Sequence, residues 1–295
     1  MPKNILLLTS DQQHWTMLGL QNPAVKTPNL DRLARSGMLA ERAYCPNPTC
    51  TPTRASIITG QYPSQHGAWS LGTKLQEDVP TLGDVFRQAG YRSCLIGKGH
   101  FQPLRESEEY ASIEAYPHLQ DTAFWKEYKG PFYGFDDFEL CRNHVDEAHV
   151  GQHYAIWMEE KGFTDWRECF QKPTGTSGNQ FLQWNLPEEY HYNTWITERS
   201  IERMRDYKEA GTPFFLWASY PDPHPPYLVP EPWASMYDPA GIELPPKPDE
   251  EEIRRNPPHF QLTQEEHPDF TPWQESGRGI HGYHSHKHSD SHYTP

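Results

Sequence analysis

Four short stretches of the chain bring together the residue types that catalysis needs. The first is Cys45-Pro-Asn-Pro-Thr-Cys50-Thr-Pro-Thr-Arg54, which puts two of the five cysteines close to an arginine. Cys50 stands just before Thr51-Pro52, a helix-start signal, so free backbone N–H groups and the helix dipole favour an anion there. Arg54 lies four residues on, about one helical turn, and its guanidinium can return to the same end. A nucleophile at a helix N-terminus beside an arginine suits a tetrahedral oxyanion. The other stretches are Asp11-Gln12, Lys98 with His100, and the loop of His224. Each of these follows an apolar run and carries groups suited to chemistry.

Three chemistries are open to the cysteine stretch: a redox pair, half of a zinc knuckle, or a single cysteine presented for reaction. The first two lack partners, because Cys94, Cys141 and Cys169 are scattered and form no second close pair. A further reading is a non-catalytic metal-binding protein, carried by His281, His284, His286, His288 and His292 near the C-terminus. Such tracts bind metal mostly by composition, and the expectation here is a solvated or lid-forming loop.

The elements that must position these residues follow from periodicity. Lys3 to Ser10 is a short apolar run breaking into Asp11, as a buried parallel strand reads. Thr27-Pro28 opens a helix that Gly37 stops, with Leu30, Leu33 and Ala34 as its inward stripe. Thr51-Pro52 with Gly60 repeats that pattern. Thr81 with Gly90 repeats it again, with Leu82, Val85, Phe86 and Ala89 as stripe. Tyr91 to Ile96 is then a strand ending before Lys98, and a helix from about Thr194 to Glu209 precedes a strand from Phe214 to Tyr220. Alternating strands and helices predict an α/β fold with a mainly parallel sheet flanked by helices. In such sheets ligands bind outside the carboxyl ends of the strands, so the loops at Asp11, Lys98 and His224 should meet in one crevice.

Residues 1–295 are read as one catalytic domain, with irregular insertions at 101–190 and a Pro/His-rich loop segment at 241–295. Residues 221–295 hold 15 of the 29 prolines and 8 of the 16 histidines, without strand–helix alternation. The net charge of −14 argues against nucleic acid or an anionic membrane as partner. Neither a signal peptide nor a membrane-spanning run is read, and a cytoplasmic location is expected.

The pentapeptide Cys50-Thr51-Pro52-Thr53-Arg54 resembles the C-x-P-x-R signature of sulfatases, within the alkaline phosphatase superfamily. Ala55 to Pro63 and Gln65-His66-Gly67 match the family's continuation of that helix. Gly90-Tyr91 through Gly97-Lys98-Gly99-His100 resembles its second signature, with Gly99 where tryptophan is usual. Phe214-Phe215-Leu216 through Pro223-His224-Pro225-Pro226-Tyr227 resembles its histidine loop, so the likeness spans residues 3 to 240.

The resemblance implies that Cys50 is oxidised to formylglycine by a formylglycine-generating enzyme, leaving Cys45 as a packing residue. The aldehyde hydrate would supply the nucleophile toward the sulfur of a small sulfate ester, such as an aryl sulfate or a sulfated sugar. Asp11, Gln12 and the group derived from Cys50 would ligate a divalent metal, calcium first, with manganese or magnesium as alternatives. Arg54 and Lys98 would hold the hydrate and sulfate oxygens. His100 would orient the hydrate, and His224 would bind the ester or protonate the leaving oxygen.

Gln12 stands where many sulfatases have aspartate and the phosphonate monoester hydrolase branch has glutamine. Hydrolysis of phosphonate monoesters or phosphodiesters is therefore the alternative within the superfamily. Leu71, where family members often carry asparagine, removes a donor to the substrate oxygens. The family's further metal ligands and second lysine have no counterpart after His224, and His288-Ser289-Asp290 lies in a polar tract. The expectation is an N-terminal part of a longer sulfatase, inactive by itself, with an exposed sheet edge.

Overall fold

The computed structural model of the chain describes residues 3–103, 105–141, 150–170, 181–184, 186–224, 227–242 and 249–262, with 265 and 269. The first apolar run forms β1 (Ile5–Ser10). Helix α1 (Pro28–Ser36) follows its proline start, and α2 (Cys50–Thr59) ends at Gly60, whose φ of 68° is left-handed. A single turn, α3 (Pro63–His66), leads toward α4 (Leu82–Gln88). Thr81 caps α4: its hydroxyl accepts from the Asp84 N–H, and the Asp84 carboxylate accepts from the Thr81 N–H. Strand β2 (Arg92–Gly97) comes next.

Residues 101–190, read from sequence as irregular insertions, contain α5 (Thr122–Glu127), β3 (Asp137–Leu140), α6 (Gln152–Glu160) and β4 (Phe181–Gln183). Strand β3 belongs to the main sheet; at four residues with two acids it shows too little apolar pattern to be read alone. Helix α7 (Tyr192–Glu209), capped by the His191 ring, runs into β5 (Phe214–Tyr220). Beyond it lie β6 (Tyr227–Val229), α8 (Glu250–Arg255) and α9 (Pro258–Leu262). The segment expected to be loop thus carries two short helices, and the histidines from 281 to 292 lie outside the described residues.

The main sheet has the order β1-β5-β2-β3, with every pairing parallel, and β4 pairs with β6 in a separate ribbon. Period-two alternation sends the residues of β5 and β2 to two buried faces. Leu216, Ala218, Cys94 and Ile96 join Trp195 and Ile196 of α7 in one core. Phe215, Trp217 and Leu95 join Ala55 and Ile58 of α2 in the other, with Phe86 of α4 packed against it. Burying each such side chain contributes roughly 1.5–3 kcal/mol, so these two layers hold the strand ends in place.

Two expected stripes differ. No residue of α1 is buried; Leu30 and Leu33 are 44% and 61% exposed. On α4, Leu82 and Phe86 pack inward, whereas Val85 is 55% exposed. Periodicity identified both helices correctly but says nothing about what lies opposite them.

Candidate active site

Because β1, β5 and β2 are adjacent and parallel, the segments that follow them emerge along one edge of the sheet. Asp11 and Gln12 follow β1, Lys98, Gly99 and His100 follow β2, and Asp222 and His224 follow β5. Close approach is built into the strand ends. Gly97 has φ 103°, and a Cβ there would lie 2.1 Å from the Ser219 carbonyl oxygen. Only glycine meets both conditions. The fourth contribution is the N-terminus of α2. Cys50 is its first helical residue, with Thr49 as the extended cap, rather than the residue before a Thr51 cap. That shift keeps the thiol at the end where backbone N–H groups are free.

The Lys98 ammonium bonds to Oδ2 of Asp11, and Lys98 is fully buried. The Cys50 thiol donates to Oδ1 of the same carboxylate at 4.0 Å. The Asp11 N–H donates to the Asp222 carbonyl at 3.1 Å, which ties β1's end to that of β5. Burial opposes the charge on Asp11, yet Lys98 and Arg54 outweigh it, with help from His224, and hold the carboxyl below its usual range. Asp11, Cys50, Arg54, Lys98 and His224 therefore share one electrostatic neighbourhood.

Gln12 and His100 sit at the ends of the first two strands with φ of 63° and 62°. Non-glycine residues rarely adopt that left-handed conformation, and it costs about 1–3 kcal/mol each. Gln12 is exposed, whereas His100 is fully buried. No described side-chain contact joins Gln12 to the other residues of the site.

Arg54 was expected to hold substrate oxygens. Its Nε instead donates to the Gly99 carbonyl at 2.7 Å, while Nη2 bonds to the Lys98 carbonyl and the Ser219 hydroxyl. The guanidinium lies 5.2 Å over the Trp217 ring. It clamps the ends of β2 and β5, and its charge faces Asp11 and Cys50. Cys45 is exposed, which corrects its reading as a packing residue. The buried thiols are Cys94 and Cys141; burial raises both, Cys94 to about 12, so neither is a nucleophile at neutral pH.

Sequence reasoning missed three residues here. Ser219 is one polar residue in an apolar strand, with no signal of its own. Glu114 comes from the stretch read as insertion. Asp222 adjoins the histidine loop; burial pushes its carboxyl up to about 6 against bonds from the Tyr192 hydroxyl and the Asn193 amide. Its place two residues before His224 was the available clue.

The metal reading meets a difficulty. Among the described residues no group of three or more His, Cys, Asp or Glu could hold a metal ion. The Asp11 carboxylate is bonded to Lys98, and calcium takes about six to eight oxygen ligands. These residues alone do not fit that ion.

With this geometry in view, the relatives are informative. The chain is 28% identical to the uncharacterized sulfatase YidJ of Escherichia coli, over 88% of this chain and 46% of that protein. It is 29% identical to an arylsulfatase of Clostridium perfringens, over 83% of this chain and 48% of the other. The phosphonate monoester hydrolase SpPMH of Silicibacter pomeroyi superposes with a TM-score of 0.62 at 26% identity, over 89% of this chain and 50% of that one. The chain thus spans about half the length of the proteins it matches. The family model for Sulfatase matches residues 3–245, and the chain belongs to that family.

Proposed function

We propose that this chain carries the nucleophile-bearing half of a hydrolase of small sulfate esters, aryl sulfates or sulfated sugars. The observation that supports this best is the meeting of Cys50, Asp11 and the buried Lys98 at the carboxyl end of a parallel sheet. Converted to formylglycine by a formylglycine-generating enzyme, position 50 supplies a hydrated aldehyde oxygen as the nucleophile.

The chain's own residues do the rest. Lys98 and Arg54 set a fixed positive potential beside position 50, where charge grows on the sulfate oxygens. A preorganised cation in a water-poor site is a large catalytic term. Asp11 holds the Lys98 ammonium in place. His224 supplies the proton that the departing alkoxide needs, and His100 orients the nucleophile. Asp11 and Gln12 are proposed as part of the oxygen set of a divalent metal. The described residues do not complete that set, so no step is derived through it.

A second reading is hydrolysis of phosphonate monoesters, favoured by Gln12 and by the likeness to SpPMH. One experiment addresses both. The chain is coexpressed with a formylglycine-generating enzyme, Cys50 conversion is read by peptide mass spectrometry, and 4-nitrophenyl sulfate and phenyl phosphonates are offered. Conversion at Cys50 with Cys45 left as a thiol is expected, with sulfate ester turnover absent or slight in this half alone and any turnover abolished by Cys50→Ala. An unmodified Cys50 counts against both readings, and faster phosphonate turnover selects the second.

A further inference from the structure

Glu114 is fully buried, and its carboxylate accepts three consecutive backbone N–H groups. Oε1 accepts from His100 at 2.6 Å, and Oε2 accepts from Phe101 at 2.8 Å and Gln102 at 2.9 Å. A buried carboxylate is costly unless its lone pairs are filled, and three amides fill most of them. Successive N–H groups converge on one anion only where the backbone leaves its extended alternation. The left-handed φ of 62° at His100 is that departure. The carboxylate therefore compensates the strain of the residue it binds.

Gly99 makes the room. A Cβ at that position would lie 3.0 Å from Oε1 of Glu114 and 3.2 Å from Cζ of Phe132. The departure noted in the sequence, glycine where tryptophan is usual, thus coincides with a carboxylate seated beside the loop. Glu114 is also one of the anions that face the Arg54 guanidinium, which itself clamps the Lys98 and Gly99 carbonyls.

We propose that Glu114 is a positioning residue of this site: seated beside Gly99, it holds the Lys98–His100 loop, and with it the Lys98 ammonium and His100 ring. The reaction it serves rests on the sulfate-ester reading, while the hold on the loop does not.

The test compares the full chain, carrying converted Cys50, with Glu114→Gln and Glu114→Asp. Glutamine keeps the volume but turns an N–H₂ donor toward backbone donors, whereas aspartate keeps the charge one methylene short. In Glu114→Gln, amide exchange at His100, Phe101 and Gln102 is expected to quicken about tenfold or more, and the His100 ring resonances to move. Where the parent chain turns over 4-nitrophenyl sulfate, kcat is expected to fall about tenfold or more with KM within about threefold, and aspartate to restore part of it. If Glu114→Gln fails to fold, Gly99→Ala, which crowds the same carboxylate, should give the same signature at smaller size. Unchanged amide exchange and ring resonances in a folded variant overturn the proposal, as does unchanged kcat. If the parent chain hydrolyses no sulfate ester, as expected of this half alone, the functional reading is judged separately by Cys50 conversion, and the amide and ring readouts still decide the role of Glu114.

Discussion

Lys98, fully buried, and Asp11, largely buried, form an ion pair, and the physics of such pairs is asymmetric. Attraction at short range offsets desolvation only while both partners are present. Lys98→Met should therefore destabilise the fold by about 3–5 kcal/mol, because it strands a buried carboxylate. Adding Asp11→Asn to that variant should recover most of the loss. Chemical denaturation of the two single variants and the double would measure this, and additive losses would mean the pair is not coupled. Asp222 behaves differently. Its carboxyl is raised from an ordinary 3.8 to about 6 by burial, so between those values the folded state binds more protons than the unfolded one. Stability attributable to Asp222 therefore falls as pH rises from about 4 to about 6. Asp222→Asn cannot ionise, so relative to the parent it should gain up to roughly 3 kcal/mol across that window. Melting curves at both ends of the window would check it, and a constant difference would remove Asp222 as the cause. The residues legible in the sequence were those with a typed role at a strand end, such as Asp11 and Lys98. Ser219 and Glu114 were not legible, because their roles are set by backbone groups remote in sequence.

At the scale of elements, α7 is fastened to the sheet by charge as well as by its apolar face. The Glu139 carboxylate on β3 accepts from Arg199 Nε at 2.6 Å and from Arg203 Nη2 at 3.0 Å. Tyr207 on the same helix donates to Asp137 at 2.7 Å, and Arg92 on β2 donates to both oxygens of that carboxylate at 3.0 Å. Burial works to raise the Glu139 carboxyl, and the two arginines outweigh it, leaving it below its usual 4.5. A depressed carboxyl contributes stability above its unfolded value, and that contribution is lost as pH falls through the lower folded value. Glu139→Gln should therefore cost about 2 kcal/mol at pH 7 and progressively less below about pH 4.5. Thermal melts of both proteins from neutral pH downward would show it; a gap that persists in acid would assign the loss to packing. Helix α7 and strand β5 were readable because both are long. Strand β3 was not, because its identity comes from pairing with β2 rather than from its own four residues. Helix α2 was readable, but its first residue was displaced: Thr49 takes the cap that Thr51-Pro52 advertises.

Over the whole molecule, apolar cover is uneven. Helices pack on both faces of β5 and β2, while among the described residues β1 pairs only with β5 and exposes Leu6 and Leu8 by 43% and 52%. Leu30 and Leu33 on α1, and Met38 just beyond it at 90% exposed, add to the apolar surface of the same N-terminal region. An edge strand with free N–H and C=O groups and outward leucines is a template for association. The net charge of −14 opposes that association through mutual repulsion, and repulsion between exposed charges is screened by salt. The balance predicts a chain that is largely dispersed at low ionic strength and associates as salt rises to about 0.5 M, where the screening length is only a few ångströms. Light scattering across a salt and concentration series would measure it. Leu6→Lys with Leu8→Lys should suppress the salt-driven association. The double variant should leave the melting temperature nearly unchanged, because surface positions away from buried features shift stability by only about 0.5 kcal/mol each. Association that weakens with salt would mean that attraction between charges draws the copies together, and association that survives both lysines would place the contact on a surface other than the β1 edge.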